Sequence, residues 1–216
     1  MNDTYDVIIS GACTAYELSR KGRRTLNIDK MAAAGAGSTG NSYAIIRTHY
    51  STYDGTAMAY EGFFYWRDWA DYIGVEDERG LARYVNTGCI VLKTELNGNL
   101  QTICNTQDAL GIPWENLDAA QLGERLPIYD VSEFGPVKTL ADPAFGEASG
   151  RQVPGAVFSP NAGYVSDPQL ATHNVQRAAK AEGATFRFDS EITAIRRSGA
   201  APPASPWPTA RKSMRR

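Results

Sequence analysis

The opening of the chain limits its fold more than any other feature, because two short apolar runs flank a segment that favours a helix. Residues 5–10 (YDVIIS) are apolar and β-branched, as is typical of a strand buried in a parallel sheet. Residues 14–21 (TAYELSRK) favour a helix, and Gly22 follows at the position of a C-terminal cap. Residues 24–28 (RTLNI) predict a second strand that ends at Asp29. This order predicts a parallel βαβ unit and therefore an α/β fold.

The same unit carries two of the features with which βαβ units bind dinucleotides. Gly11 occupies the turn after the first strand, where glycine lets the backbone approach a diphosphate at a helix N-terminus. Asp29 ends the second strand, where an acid accepts hydrogen bonds from ribose hydroxyls. In a G-x-G-x-x-G pattern that starts at Gly11, however, Cys13 and Tyr16 replace the other two glycines. These side chains should crowd the diphosphate and hold the helix away from the strand, so an ordinary βαβ unit stays an open alternative.

The rest of the chain continues the alternation of helices and strands. Residues 31–41 are almost all small, which suits backbone that wraps closely around a ligand better than it suits a core. A long helix is predicted over residues 56–73, because its apolar residues form one stripe: Ala59, Phe63, Trp66, Ala70 and Ile73. Residues 82–86 and 89–94 predict two strands or one bulged strand, and further strands are predicted at 156–159, 185–188 and 191–196. Further helices are predicted at 100–110, 118–125 and 168–182.

Composition excludes several classes of protein and of site. The net charge of −2 over 216 residues gives no reason to expect nucleic acid or an anionic membrane as partner. The three cysteines lack CxxC spacing, so neither a disulfide framework nor a zinc site is expected. His49 and His173 are the only histidines, and the absence of ligand spacing around them predicts no metal site. Without an 18-residue apolar run or a signal peptide, the sequence predicts a soluble cytoplasmic protein.

A series of segments, taken in order, resembles the FAD-dependent amine oxidoreductases, the family of the D-amino-acid, glycine and sarcosine oxidases. Residues 5–22 are similar to the opening of that family with about four residues of its glycine turn removed. The run GSTGNS at 37–42, followed by Ile45, Ile46 and Arg47, is similar to the family's small-residue loop and the arginine after it. Three later segments are also similar to parts of the family: 88–92, 163–168 and 191–195. The resemblance spans residues 4–198.

The resemblance implies an FAD-binding, Rossmann-like parallel sheet and part of a second, mixed-sheet substrate domain. It implies that FAD is the cofactor and that a small amine or amino acid is oxidised at its C–N bond by hydride transfer to the flavin. Arg47 is expected to bind a substrate carboxylate, although a structural salt bridge is an equal alternative. His49 could lie near the flavin, or it could have a surface or supporting role. The residues expected to bind FAD are Gly11, Asp29, Lys30, Ser38, Thr39, Asn41, Ser42 and Ile192.

The resemblance also divides the chain. Residues 1–80 and 150–198 are assigned to the FAD-binding domain, residues 81–149 to a partial substrate domain, and residues 199–216 to a disordered, basic, proline-rich tail. Relatives continue well beyond the segment that matches residues 191–195, so a truncated chain with weak FAD binding and little turnover is expected. Two alternatives stay open. The chain could be an inactive fragment or binding module of this family, or it could be an NAD-dependent Rossmann dehydrogenase.

Overall fold

A computed structural model describes residues 4–195 of the chain. Its strands are β1 (Val7–Ile9), β2 (Thr25–Ile28), β3 (Ile45–Ile46), β4 (Tyr84–Asn86), β5 (Cys89–Leu92), β6 (Glu115–Leu117), β7 (Ala156–Ser159), β8 (Gly163–Val165) and β9 (Thr185–Arg187). Its helices are α1 (Ala12–Ser19), α2 (Tyr53–Arg67), α3 (Trp69–Ile73), α4 (Gln101–Leu110), α5 (Ala119–Arg125) and α6 (Pro168–Ala181), and a short 3-10 segment (Glu95–Leu100) precedes α4. None of these helices is long and apolar enough to cross a membrane.

A parallel sheet of order β1-β2-β9 forms the base of the fold, as the sequence predicted. Ile8 lies opposite Leu26, and Leu26 lies opposite Thr185. Helix α1 packs against this sheet and α6 packs against α1, and small apolar residues of both helices contribute to the main core. Ser19 on α1 approaches Thr25 on β2 to within 2.9 Å between the two hydroxyl oxygens. The expectation that Tyr16 holds the helix away from the strand is therefore wrong, because its ring packs edge-on against Tyr72 instead.

Two antiparallel sheets complete the fold, with strand orders β3-β8-β4 and β5-β7-β6. Both centre on the segment that contains β7 and β8, since β7 pairs with β5 and β6, and β8 pairs with β3 and β4. Gly163 permits β8 to pair closely with β4, because a Cβ at this position would collide with the carbonyl oxygen of Val85. The assignment of residues 81–149 to a separate substrate domain stays a prediction.

The helix predicted over residues 56–73 is broken at Asp68, which is a correction to the sequence analysis. Asp68 has φ −106° and ψ 42°, so it ends α2 and precedes α3 with non-helical geometry. The break changes which residues face inward: Trp69 is buried and Ala70 is exposed, the reverse of the predicted stripe. Trp69 is also fixed by a hydrogen bond from its indole nitrogen to Asn174 Oδ1 at 3.2 Å.

Other boundaries also differ from the predictions. The first helix begins at Ala12 rather than at residue 14, and β8 was not predicted as a strand. The strand predicted over residues 191–196 is wrong for the described residues up to Ile195, which have no regular secondary structure. The last backbone hydrogen bond of this region in the described chain runs from Ser190 N to the carbonyl of Asp29, and the side chains of Ile192 and Ile195 beyond it are exposed. The predicted disordered tail, 199–216, lies outside the described residues.

Candidate functional site

A cavity of about 890 Å³ lies where the three parallel strands end. Ser10 and Gly11 follow β1, Asp29 follows β2 and Phe188 follows β9, and all four line the cavity. Ligands of parallel α/β sheets bind outside the carboxyl ends of the strands, so the position agrees with the fold. The volume is near the upper end of the roughly 300–1,000 Å³ that small-molecule sites occupy.

The N-terminus of α1 opens into this cavity without a capping side chain. Gly11 precedes the helix with φ 153° and ψ 118°, a conformation that L side chains rarely adopt, and no side chain caps the helix. The first N–H group that bonds within the helix is that of Ala15, which donates to the Gly11 carbonyl at 3.2 Å. The N–H groups of the first turn and the helix dipole therefore favour an anionic group here.

The predicted small-residue loop forms the opposite wall. Gly35, Gly37, Ser38, Thr39 and Ser42 line the cavity, and Gly40 N donates to the carbonyl of Gly35 at 2.8 Å. A Cβ on Gly40 would lie 2.5 Å from that same oxygen, so only glycine permits this tight turn. The prediction that backbone wraps closely around this space agrees with the loop geometry.

The predicted cofactor-binding residues are not all brought together. Gly11, Asp29, Ser38, Thr39 and Ser42 line the cavity. One oxygen of Asp29, Oδ1, accepts a bond from Met31 N at 2.9 Å, and no described residue donates to the other oxygen. Three predicted residues do not line the cavity: Lys30, Asn41 and Ile192. Of these, Asn41 holds the loop, because its Nδ2 donates to the carbonyl of Gly37 at 2.9 Å. The binding roles of all eight residues stay predictions.

The two residues predicted to act on the substrate also do not line the cavity. Arg47 comes directly after Ile45 and Ile46, which do, and its exposed guanidinium lies 4.3 Å from the centre of the Tyr50 ring. In the described part of the chain it makes no ion pair, so the salt-bridge alternative finds no partner there. Its expected contact with a substrate carboxylate stays a prediction.

His49 is buried in a polar cluster on the other side of β3. Its Nδ1 lies 3.3 Å from the Ser159 hydroxyl, which is 3.5 Å from Gln107 Nε2. Burial lowers the pKa of His49, and the positive charge of Arg47 lowers it further, so the imidazole is neutral at physiological pH. These contacts place His49 in a supporting position rather than on the cavity wall.

The sequence analysis missed two contributions to the cavity. Aromatic side chains form one wall of the cavity, and only Trp66 among them belongs to the predicted apolar stripe. The four residues are Tyr65, Trp66, Trp69 and Tyr72. Asn27, inside β2, is only 4% exposed and also lines the cavity. An amide between Leu26 and Ile28 in the predicted strand was the available signal for this second contribution.

A second polar cluster joins α6 to the loop after α3, well separated in sequence. Asp77 Oδ2 accepts bonds from His173 Nδ1 at 2.8 Å and from Asn174 Nδ2 at 2.7 Å. Its Oδ1 accepts from the backbone N of Arg79 at 2.9 Å. Burial raises the pKa of Asp77, but these hydrogen bonds lower it more, so the net shift is downward. Ligand atoms of Asp77, Glu78 and His173 lie within 4.8 Å of one another, where Asp77 is bonded to His173 and Glu78 forms an ion pair with Arg177 at 3.1 Å.

Comparison with known protein families gives a match over nearly the whole described chain. The model of the family described as DAO, FAD dependent oxidoreductase, matches residues 9–206. No curated protein sequence matches the chain.

Solved structures with the same fold come from several enzymes. The L-proline dehydrogenase from P. horikoshii superposes with a TM-score of 0.68 at 19% identity, over 89% of this chain and 46% of that one. The glycine oxidase from Geobacillus kaustophilus gives 0.64 at 21% identity, over 89% and 48%. The L-amino acid deaminase from Proteus myxofaciens gives 0.66 at 19% identity, over 92% and 41%. The chain thus spans less than half the length of these proteins, and at this identity the likeness concerns the fold alone.

Proposed function

We propose that this chain, which belongs to the FAD-dependent oxidoreductase family, holds FAD in the cavity at the ends of β1, β2 and β9. The observation that carries the proposal is the uncapped N-terminus of α1, which opens into a cavity at the carboxyl ends of parallel strands. Both features suit a dinucleotide whose diphosphate lies against the helix.

The residues present fit this cofactor in three respects. The α1 N-terminus offers N–H donors for the diphosphate, and the hydroxyls of Ser38, Thr39 and Ser42 offer more along the loop. Asp29 keeps one carboxylate oxygen without a donor among the described residues, as a ribose contact requires. One feature fits less well, because Cys13 lines the cavity where a second glycine would leave room. We therefore expect micromolar rather than nanomolar affinity for FAD.

The reaction that we propose is oxidation of a C–N bond in a small amine or amino acid. FAD supplies the hydride acceptor when it is bound. The protein's own part is to orient the substrate and to exclude water, for which the aromatic wall of the cavity is suited. Arg47 is our candidate for the substrate carboxylate, because its guanidinium is exposed one residue beyond the cavity wall and has no carboxylate partner in the described chain.

The substrate class rests on the names of the structural neighbours, which refer to proline, glycine and L-amino acids. A cytoplasmic location is also part of the proposal. It is supported by the three cysteines, because all three lie in the described part of the chain and none of them forms a disulfide there, as is usual in a reducing compartment.

A second candidate function is an FAD-binding module without turnover. The exposure of the cavity rim favours it, since Tyr43 is 92% and Ile45 is 64% exposed. Both residues line the cavity, and side chains this exposed leave this part of the cavity rim open to water. The third possibility, an NAD-dependent dehydrogenase, has no support in the family match.

Titration with FAD tests the proposal and separates the two candidates. In equilibrium dialysis against micromolar FAD, the purified chain should retain an excess of flavin on its side of the membrane, measured by flavin absorbance near about 450 nm. Single-turnover bleaching of that absorbance by glycine, proline or N-methyl amino acids under anaerobic conditions would support the oxidoreductase. Retained flavin with no bleaching by any of them would support the binding module. Absence of retained or titratable FAD would contradict both.

A further inference from the structure

Asn27 is the least expected residue of the parallel sheet. It lies in β2, between Leu26 and Ile28, where a strand buried in a parallel sheet is ordinarily apolar. It is only 4% exposed. A primary amide placed there loses its hydration, and that loss is unfavourable unless hydrogen bonds replace the water.

The hydrogen bonds of Asn27 do not compensate for this burial. Its Oδ1 accepts one long bond, 3.5 Å from the backbone N of Gly11. No other residue between 4 and 195 bonds to the side chain, although a carboxamide has two donor hydrogens on Nδ2 as well as its acceptor oxygen. Among the described residues, Nδ2 is not one of the fully buried side-chain atoms that lack a partner, so it is still accessible to solvent at the cavity wall. The donor side of the amide therefore faces the cavity, beside the glycine turn.

The position of this donor defines the chemistry of its partner. The contact with Gly11 N places the amide next to the turn from which the α1 N-terminus begins. That terminus attracts negative charge, so an acceptor bound there is an anionic oxygen. We propose that Asn27 donates a hydrogen bond from Nδ2 to the diphosphate of FAD, and that this amide partly replaces backbone donors that the shortened glycine turn lacks. The inference rests on the proposed function.

Thr25 provides a matched control on the same strand and the same face. It is two residues before Asn27, is equally buried, and does not line the cavity. Its hydroxyl is already satisfied by Ser19 at 2.9 Å. Thr25→Val therefore removes a buried polar group from β2 without touching the cavity, whereas Asn27→Leu removes one that faces it.

The experiment compares the affinities of unmodified chain, Asn27→Leu, Asn27→Asp and Thr25→Val for FAD, ADP and adenosine. A hydrogen bond to a charged group corresponds to about a tenfold to hundredfold change in affinity. Asn27→Leu should therefore lower the affinity for FAD and for ADP by that factor. Asn27→Asp should weaken both further, because it places a carboxylate beside the diphosphate. Adenosine, which has no diphosphate, should bind all four proteins alike, and Thr25→Val should bind FAD like the unmodified chain.

The outcomes separate this inference from the proposed function. Unchanged FAD and ADP affinity in Asn27→Leu, with binding by the unmodified chain, would overturn the role of Asn27 and leave the FAD site standing. Equal losses in Asn27→Leu and Thr25→Val would also overturn it, since they would reveal a general effect of altering β2. If the unmodified chain binds neither FAD nor ADP, the proposed function fails and this inference falls with it. Thermal unfolding of each variant shows whether a loss of affinity reflects a loss of fold.

Discussion

Two buried asparagines, Asn174 and Asn27, differ in how many hydrogen bonds their carboxamides make. Asn174, on α6, is fully buried and uses its whole carboxamide: Oδ1 accepts from Trp69 Nε1 and Ala82 N, and Nδ2 donates to Asp77 and to the carbonyl of Gly80. Asn27, on β2, is nearly as buried and makes one long bond. The same side chain therefore has two different environments in one core.

The difference indicates what each region contributes. A buried polar network whose members are all satisfied fixes the arrangement of the elements that it joins, here α3, α6 and the loop between α3 and β4. A side chain with a single long bond joins no elements in this way, and under the proposal above its free donor serves the bound cofactor. Stability should thus depend on Asn174, and ligand affinity on Asn27.

Matched leucine substitutions should give the largest contrast. Asn174→Leu leaves the Trp69 indole N–H, the Ala82 N–H and the Asp77 carboxylate without their partner, so we expect a loss of about 3–5 kcal/mol in unfolding free energy. Asn27→Leu should change it by less than about 1 kcal/mol, because it forfeits only one long bond. Urea denaturation measures both, and similar costs for the two variants would break the comparison.

A smaller effect, dependent on pH, is expected at Asp77. Its side chain is fully buried and its pKa is lowered in the folded state, so it stabilises the fold above its unfolded pKa of about 4. That contribution should disappear as pH falls through the folded pKa. Asp77→Asn should cost about 2 kcal/mol at neutral pH and should flatten the stability curve below about pH 4. If the unfolding free energy of the variant falls below about pH 4 as steeply as that of the unmodified chain, Asp77 does not contribute to acid sensitivity.

The smallest of the three effects is expected in the cavity loop. Gly35 has φ 79°, and a Cβ there would lie 2.9 Å from Thr172 Cβ, whereas a Cβ on Gly37 would meet nothing within 4 Å. Gly35→Ala should cost about 1–2 kcal/mol, and Gly37→Ala should stay within about 0.5 kcal/mol of the unmodified chain. Thermal unfolding at matched concentration compares them. Equal stability of the two variants would indicate that the loop adapts freely.

The parallel sheet could be predicted because each of its strands is marked by its own residues and by the turn residues beside it. The runs before Gly11, before Asp29 and after Gly183 are short, apolar and bounded by turn residues, and each became a strand of one sheet. The break at Asp68 was not predictable in this way, because the apolar period continues through it. The residue directly after the break, Trp69, is bonded to Asn174, and this contact joins residues more than a hundred positions apart, which no local pattern reveals.

The candidate site was predictable where it depends on backbone. The glycine turn, the acid after β2 and the small-residue loop all follow from conformational preferences that a sequence displays, and they meet at the cavity. Lys30 and Ile192 do not line it, and His49 is buried elsewhere, because the direction of a side chain depends on packing. Asn27 was overlooked because one polar residue does not interrupt a strand pattern.

Alkylation of the cysteines with and without FAD tests most directly whether FAD occupies this cavity. Cys13 is exposed and lines it, whereas Cys89 is half-buried and Cys104 is buried, and neither of these lines it. Partial loss of hydration, followed by the negative charge of Glu17, raises the pKa of the Cys13 thiol, so the reaction is followed at the same alkaline pH with and without FAD. FAD should slow modification of Cys13 at least about tenfold, half-maximally at its dissociation constant, and should leave Cys89 and Cys104 unchanged. Modification of Cys13 at the same rate with saturating FAD would contradict the account.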